Sequence, residues 1–406
     1  MKVDRDRFLE EGYLILRQVI PPSDLERVRA ASERLLEKQK EAWRRDRDPG
    51  DPPGGQWEIS SQPRVTVQDI AGSVDAGCIP CIEIWHHENI QGVSSELLGV
   101  ADAGVTEMMM MCSPVRDHGT GGHRGWHRDL YPPFSAPVQA FAEDILENGP
   151  RYVQWNIPLY DDDVLWVMPG SHKRLNTAEE NRLLAGDERV PFPGGVQTDL
   201  KAGDGVVYIL PILHWGSRYD RTLRRTLHGG FSTHTQVRDL SYAEHLSAPA
   251  RERFERWNRR SGRTQDLTEA ALRAAIAGDG ARYREVLDQL HPGRGARGEA
   301  LTTVYMSKSA RRIYDLRGPG AGKVPESRRN MALFEHPITL HWGGEFAGRF
   351  CPEEAEALWE RLRPVEEGVQ AEEELAPPGY EDRPSRYYFY EMPAGLDIAA
   401  EIDRWN

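Results

Sequence analysis

Gly125-Trp126-His127-Arg128-Asp129-Leu130 is the stretch whose reading decides the fold. In a strand, successive side chains point to opposite faces, so His127 and Asp129 present an imidazole and a carboxylate on one side while Arg128 points away. Gly121, Gly122 and Gly125 loosen the chain just before the pair, and Pro132 and Pro133 end the run, which places it at a strand mouth. Downstream, Gly205-Val206-Val207-Tyr208-Ile209-Leu210 is apolar and β-prone, and Pro211 carries the chain on to His214.

Two His and one carboxylate on one face of an ion leave the opposite positions open, the donor arrangement of non-haem Fe(II) oxygenases. His127, Asp129 and His214 are therefore the expected metal ligands. Arg224 and Arg225 open the next β-prone run, which continues to Phe231. A guanidinium there suits a carboxylate, because its planar fork pairs bidentately and keeps its charge. Rival ligand sources are weaker. His86 and His87 are adjacent and diverge on any strand, while His341-Trp342-Gly343 repeats the His-Trp-Gly of residues 214 to 216 with no Arg pair after it.

The chain resembles the phytanoyl-CoA dioxygenase family of Fe(II)- and 2-oxoglutarate-dependent oxygenases in an ordered series of segments. These are Phe8-Leu9-Glu10-Glu11-Gly12-Tyr13-Leu14-Ile15-Leu16-Arg17, Trp126-His127-Arg128-Asp129, Val167-Met168-Pro169-Gly170-Ser171-His172-Lys173, Ala202-Gly203-Asp204, His214-Trp215-Gly216-Ser217 and Arg224-Arg225. The resemblance implies a double-stranded β-helix (jelly roll, cupin-like), with iron on His127, Asp129 and His214 and an Arg beyond the distal His holding the far carboxylate of 2-oxoglutarate. The family's usual spacing selects Arg225, whereas matching the strand pattern selects Arg224, which is preferred here. Gly216 stands where some members carry a co-substrate-binding Ser, a role Ser217 would take instead. Asn156 falls where relatives often have an aromatic residue lining the co-substrate pocket, which implies an altered wall.

By the same resemblance, 2-oxoglutarate and O2 fill the open iron positions. Decarboxylation to succinate and CO2 then drives hydroxylation of a small molecule such as a specialised metabolite. Related iron halogenases replace the carboxylate ligand with a small residue, and Asp129 is present here. The alternatives are a non-catalytic metal-binding jelly-roll protein, or the same oxidant used for desaturation, epoxidation or cyclisation. Trp126, Arg124, Tyr131 and Trp215 are candidate substrate contacts, chosen for closeness to the ligands in sequence; core packing is the competing role for the two Trp residues.

A chain of 406 residues exceeds one ordinary domain. The expected division is a jelly-roll domain with N-terminal helices over 1–236 and a largely helical, partly stranded extension over 237–406, read as a lid or dimer interface. A net charge of -13 argues against nucleic-acid and anionic-membrane partners. With no long apolar stretch near Met1, a cytoplasmic monomer or homodimer is expected. Four cysteines make a disulfide framework unsuited to a chain this size, and Cys78-Ile79-Pro80-Cys81 lacks the second pair of a zinc site.

Several elements are readable along the way. Ser23-Asp24-Leu25-Glu26 begins a helix running from about Asp24 to Trp43. Residues 105–112, 152–159 and 165–168 read as strands, and the four consecutive Met residues as core, since neighbours on a strand diverge. Asp161-Asp162-Asp163 reads as a solvated hairpin tip. Asp266-Leu267-Thr268-Glu269 reads as a helix cap, residues 353–362 as a helix, and the runs at 333–342 and 387–390 as added strands.

Overall fold

The computed structural model describes all residues except 114–123, 131–134, 187–188, 219–221, 334–342, 371–390 and 406. Its strands are β1 (Tyr13–Leu16), β2 (Arg64–Thr66), β3 (Gly104–Ser113), β4 (Arg124–His127), β5 (Val153–Pro158), β6 (Leu165–Val167), β7 (Val196–Gln197), β8 (Gly205–Ile209), β9 (His214–Gly216) and β10 (Arg224–Ser232). They form a six-stranded sheet in the order β1-β8-β5-β10-β3-β2 and a four-stranded sheet in the order β4-β9-β6-β7. Every pairing is antiparallel. From β3 to β10 the chain passes repeatedly from one sheet to the other, which is the jelly roll expected from the sequence.

Apolar alternation is what faces the sheets together. Tyr13, Val206 and Tyr208 of the larger sheet pack with Leu165 and Val167 of the smaller one, joined by Leu200 and Ile212. Burial of each such side chain contributes roughly 1.5–3 kcal/mol, enough in sum to fix which face points inward. On the outer face of the larger sheet, Trp155 donates from Nε1 to Ser94 Oγ at 2.9 Å, and Trp85 packs on Phe231 with ring centroids 6.0 Å apart. Gly229 is required there: a Cβ would lie 2.1 Å from the Glu107 carbonyl oxygen.

The helix at Pro22–Arg45 begins with Pro in its first turn, where no amide partner is lost, and buries Val28, Ala31, Leu35 and Leu36 along one stripe. Two of the resembling segments are structural clamps. Gly12 ends the first helix, Arg5–Glu11, with φ 85°, and the Asp204 carboxylate accepts from the Gln18 amide at 2.9 Å and from Arg17 Nη1 at 2.6 Å.

The chain forms two compact units, one of Met1–Arg128, Pro150–Ser171 and Asp187–Arg260, the other of Asp129–Gly149, His172–Gly186 and Ser261–Asn406. The first continues past residue 236, where the sequence placed a boundary, because Arg253 Nη1 donates to the His86 carbonyl at 3.0 Å and Trp257 Nε1 to Asp102 at 2.9 Å. In the second, the helix Gly295–Arg317 is buried on several faces, and Lys308 pairs with Glu366 of the helix Pro352–Gln370 at 3.3 Å.

Three readings are corrected. Asp266 to Glu269 lie inside one uninterrupted helix, Ala248–Ala277, with the Thr268 hydroxyl donating back to the Thr264 carbonyl at 2.8 Å, so the apparent cap signature caps nothing. Asp162 is buried rather than solvated. The helix expected over 353–362 is longer, running from Pro352 to Gln370. Both Cys78 and Cys81 are buried thiols, and burial raises the affinity of each for its proton, as ordinary core cysteines require. Of the strand expected at 333–342, Leu333 ends the helix Glu326–Leu333, and the rest, with His341 and the run at 387–390, lies outside the described residues. No helix among the described residues is long and apolar enough to cross a membrane.

His86 is held between Phe254 and Trp257, with ring centroids 4.7 and 5.2 Å away, and neither ring nitrogen has a hydrogen-bond partner among the described residues. Burial, reinforced by the charge of Arg253, drives its pKa down to about 3. A depressed imidazole binds fewer protons folded than unfolded, so its contribution is complete above pH 6.5 and is lost as pH falls towards 3. Urea denaturation should show the stability gap between His86→Phe and the wild type shifting in favour of the variant from pH 7 to pH 5, by up to about 1.4 kcal/mol per pH unit.

Candidate metal centre

Strand register builds the site. In the pairing of β4 with β9, His127 lies opposite His214, and an irregularity between Arg124 and His127 adjusts the approach of β4. The two imidazoles meet with ring centroids 4.3 Å apart. His127, Asp129 and His214 each offer a ligand atom, and these atoms all lie within 4.8 Å of one another. Among the described residues this is the group of His, Cys, Asp and Glu side chains close enough to share an ion.

The two rings are oriented alike. His127 Nδ1 faces the Gly125 carbonyl at 2.7 Å, and His214 Nδ1 faces the Ile212 carbonyl at 3.0 Å. A carbonyl only accepts, so Nδ1 carries the hydrogen in both, and Nε2 is the lone-pair donor. A backbone carbonyl holding the far nitrogen is the usual support of a metal-bound imidazole. Two such nitrogens and a carboxylate fit a divalent iron ion with open positions.

Arg128 and Asp129 lie beyond β4, which ends at His127, so the expected strand pair His-x-Asp is only half on the strand and alternation does not set the direction of Arg128. Its Nη1 donates to the Ser171 carbonyl at 2.8 Å and also to the Pro211 carbonyl. Ser171 in turn accepts the Leu213 amide on its hydroxyl at 2.8 Å, and the Met168 amide donates to the Leu213 carbonyl at 2.8 Å. The Pro169-Gly170-Ser171-His172 turn thus fixes the residue next to His214.

The inner face of the larger sheet is polar. His228 Nδ1 donates to Asn156 Oδ1 at 2.6 Å, Gln154 Nε2 lies 3.4 Å from His228 Nε2, and Gln154 Nε2 donates to the Tyr208 hydroxyl at 2.7 Å. Tyr208 stands against His214 with ring centroids 5.4 Å apart. Thr226 and Arg224 continue this face along β10, and both contact Asp162. Burial pushes the Asp162 carboxyl up, but the Arg224 charge and the hydrogen bonds more than offset this and hold it below its ordinary value.

The structure brings together only part of the expected set. Arg225 faces the other way and pairs with Glu33, Nε to Oε1 at 2.7 Å. The Ser217 hydroxyl donates to the Val164 carbonyl at 3.1 Å, so it is turned to the backbone of the neighbouring strand. Trp126 and Trp215 lie on the face opposite the histidines, 5.7 Å apart, with Trp126 stacked on Phe192 at 4.9 Å and Trp215 beside Trp166 at 5.5 Å. Adjacency in sequence to a ligand on a strand puts a side chain on the wrong face for a shared cavity. The Arg124 backbone pairs with Gly216, while its side chain and Tyr131 lie outside the described residues. Gln154, Thr226 and His228 were missed, although stepping by two from Asn156 and Arg224 would have found them. No comparable signal marks Asp162.

Residues 8–225, more than half of the chain, match the family model of phytanoyl-CoA dioxygenase (PhyH). The chain belongs to this family of Fe(II)- and 2-oxoglutarate-dependent enzymes, whose cofactors are iron, 2-oxoglutarate and O2. No curated protein matches it. Among solved structures it is similar to the non-heme alpha ketoglutarate dependent epimerase SnoN from nogalamycin biosynthesis, at 14% identity over 56% of this chain and 79% of that one, TM-score 0.39. AviO1 from Streptomyces viridochromogenes Tue57 is 21% identical over 57% of this chain and 96% of its own, TM-score 0.40. EctD from S. alaskensis is 16% identical over 56% and 75%, TM-score 0.39.

Replacing Ser171 by Ala would leave the Leu213 amide buried without its acceptor. The variant should lose about 1–3 kcal/mol in urea denaturation of the metal-free protein. An unchanged midpoint would show that the turn does not hold the His214 strand.

Proposed function

We propose that this protein hydroxylates a carbon of a small molecule, with iron held by His127, Asp129 and His214 and the far carboxylate of 2-oxoglutarate held by Arg224. The observation that carries the reading is the convergence of two Nε2 donors and a carboxylate within 4.8 Å. Arg224 is preferred over Arg225 because it shares the inner face with Thr226 and His228, whereas Arg225 is engaged by Glu33.

When bound, iron with 2-oxoglutarate and O2 supplies the oxidation, giving succinate, CO2 and one oxygen atom to the substrate. The chain's own residues supply aim and insulation. The Gly125 and Ile212 carbonyls hold Nδ1 of His127 and His214, which leaves Nε2 of each as the atom that would meet the ion. Asp129 occupies the position that a halide would need, which favours hydroxylation over halogenation. The Asn156, His228, Gln154 and Tyr208 side chains are hydrogen-bonded to one another, so they present a fixed polar surface. The net charge of -13 and the lack of an extended basic motif weigh against a coenzyme A thioester as substrate.

Anaerobic addition of Fe(II) and 2-oxoglutarate should give the weak visible band of the metal–keto acid chelate. His127→Ala should abolish it. Arg224→Ala should raise the 2-oxoglutarate Kd at least about tenfold, the loss of one charged hydrogen-bond pair, and Arg225→Ala should change it less. A wild type without the band would point to a metal-binding protein that does no oxidation. Hydroxylation itself is checked by screening a metabolite panel for succinate release matched by a product that gains one oxygen atom; a dehydrogenated or cyclised product without added oxygen would replace hydroxylation by desaturation or ring closure.

A further inference from the structure

We infer that Asp162 is a positioning residue for the co-substrate: it holds Arg224 by one edge so that the terminal fork of the guanidinium is presented to the far carboxylate. This rests on the reading of Arg224 given above.

The geometry divides the guanidinium into two parts. Nε donates to Asp162 Oδ2 at 2.7 Å, and the Thr226 hydroxyl donates to the same oxygen at 2.7 Å. Of the two terminal nitrogens, Nη1 has only the Met111 sulfur at 3.5 Å, a weak acceptor, and Nη2 has no partner among the described residues. Arg224 and Asp162 side chains are only 4% and 5% exposed, so water does not take over these contacts. A guanidinium has five donors in a fixed plane, and a carboxylate on the Nε side leaves the Nη1 and Nη2 pair free for a second, end-on carboxylate.

Asp162 is itself immobile. Its other oxygen accepts the Val164 amide at 2.9 Å, and its backbone forms a two-way bridge with Leu200, at 2.9 and 3.0 Å. A rigid carboxylate therefore sets the plane of the Arg before any co-substrate arrives. A second carboxylate entering the cluster meets repulsion from Asp162, which opposes binding. Orientation wins in this proposal because the Asp162 charge is already matched by the Thr226 hydroxyl, the Val164 amide and Nε. An Arg released from Asp162 would also turn its Nε towards another acceptor and lose the end-on geometry.

The test uses the full-length protein loaded anaerobically with Fe(II), titrated with 2-oxoglutarate and, separately, with 2-oxobutyrate, which chelates iron but lacks the far carboxylate. Asp162→Ala should raise the 2-oxoglutarate Kd, read from the chelate band, at least about tenfold. It should leave the 2-oxobutyrate Kd and Fe(II) affinity close to wild type. Asp162→Asn, which keeps the size and the Val164 acceptor, should fall between, and it decides the question if the Ala variant does not fold. A matched weakening of both keto acids would show a merely structural role and overturn the proposal. So would an unchanged or tighter 2-oxoglutarate Kd, the latter identifying Asp162 as a competitor for Arg224. If the wild type binds 2-oxobutyrate and 2-oxoglutarate alike, the assignment of Arg224 fails, and that of Asp162 with it. A normal wild-type preference with no effect of Asp162 overturns the latter alone.

Discussion

The register that sets His127 opposite His214 is the constraint on which the rest of the structure depends. Side chains alternate on a strand, so a slip of one residue in this short ladder would turn an imidazole outward and bring a tryptophan in. A ladder of so few residues cannot fix its own register by hydrogen bonds alone. It is fixed from both sides. Trp126, Trp215, Trp166 and Phe192 stack on the outer face, and Arg128 ties the Ser171 and Pro211 carbonyls on the other flank. The aromatic stack does for apolar packing what Arg128 does for polar contacts, and neither leaves the histidines free to exchange faces.

Arg128 also shows why a charge between two ligands is not a liability. Just beyond the end of β4, its guanidinium is taken up by the Ser171 and Pro211 backbone carbonyls. Ser171 and Pro211 stand just before His172 and His214 in the chain. One side chain therefore links three pieces of sequence that are far apart along the chain.

How much of this was legible follows from the range of the interactions. Strands β3, β5, β6 and β8 were readable because alternation and β-branched runs are local signals, whereas the strand expected to carry both His127 and Asp129 ends at His127. Asp162 was misread because its partner Arg224 lies 62 residues away, and an acidic triplet looks the same whether solvated or buried. Trp126 and Trp215 take the core-packing role that was weighed against substrate contact, because neighbours on a strand point to opposite faces. The cap pattern at Asp266 was overridden because nothing breaks the helix around it, and the Thr268 hydroxyl found a carbonyl one turn back. The compact unit reaches Arg260 through contacts of Arg253, Phe254 and Trp257 with His86 and Asp102, which leave no mark on composition.

The polar inner face carries one further consequence. Hydrophobic burial would favour apolar residues where Gln154, Asn156 and His228 stand, and their desolvation is costly unless each donor meets an acceptor. Asn156 Oδ1 accepts from His228 Nδ1, and Gln154 Nε2 lies 3.4 Å from His228 Nε2 while donating to the Tyr208 hydroxyl at 2.7 Å. A wall built this way resists piecemeal substitution more than an aromatic one does, since an aromatic residue is replaced by another of similar volume while a directed chain needs several changes at once. The face opposite the metal ligands is in this sense as specified as the ligands themselves, by the direction of its hydrogen bonds rather than by charge.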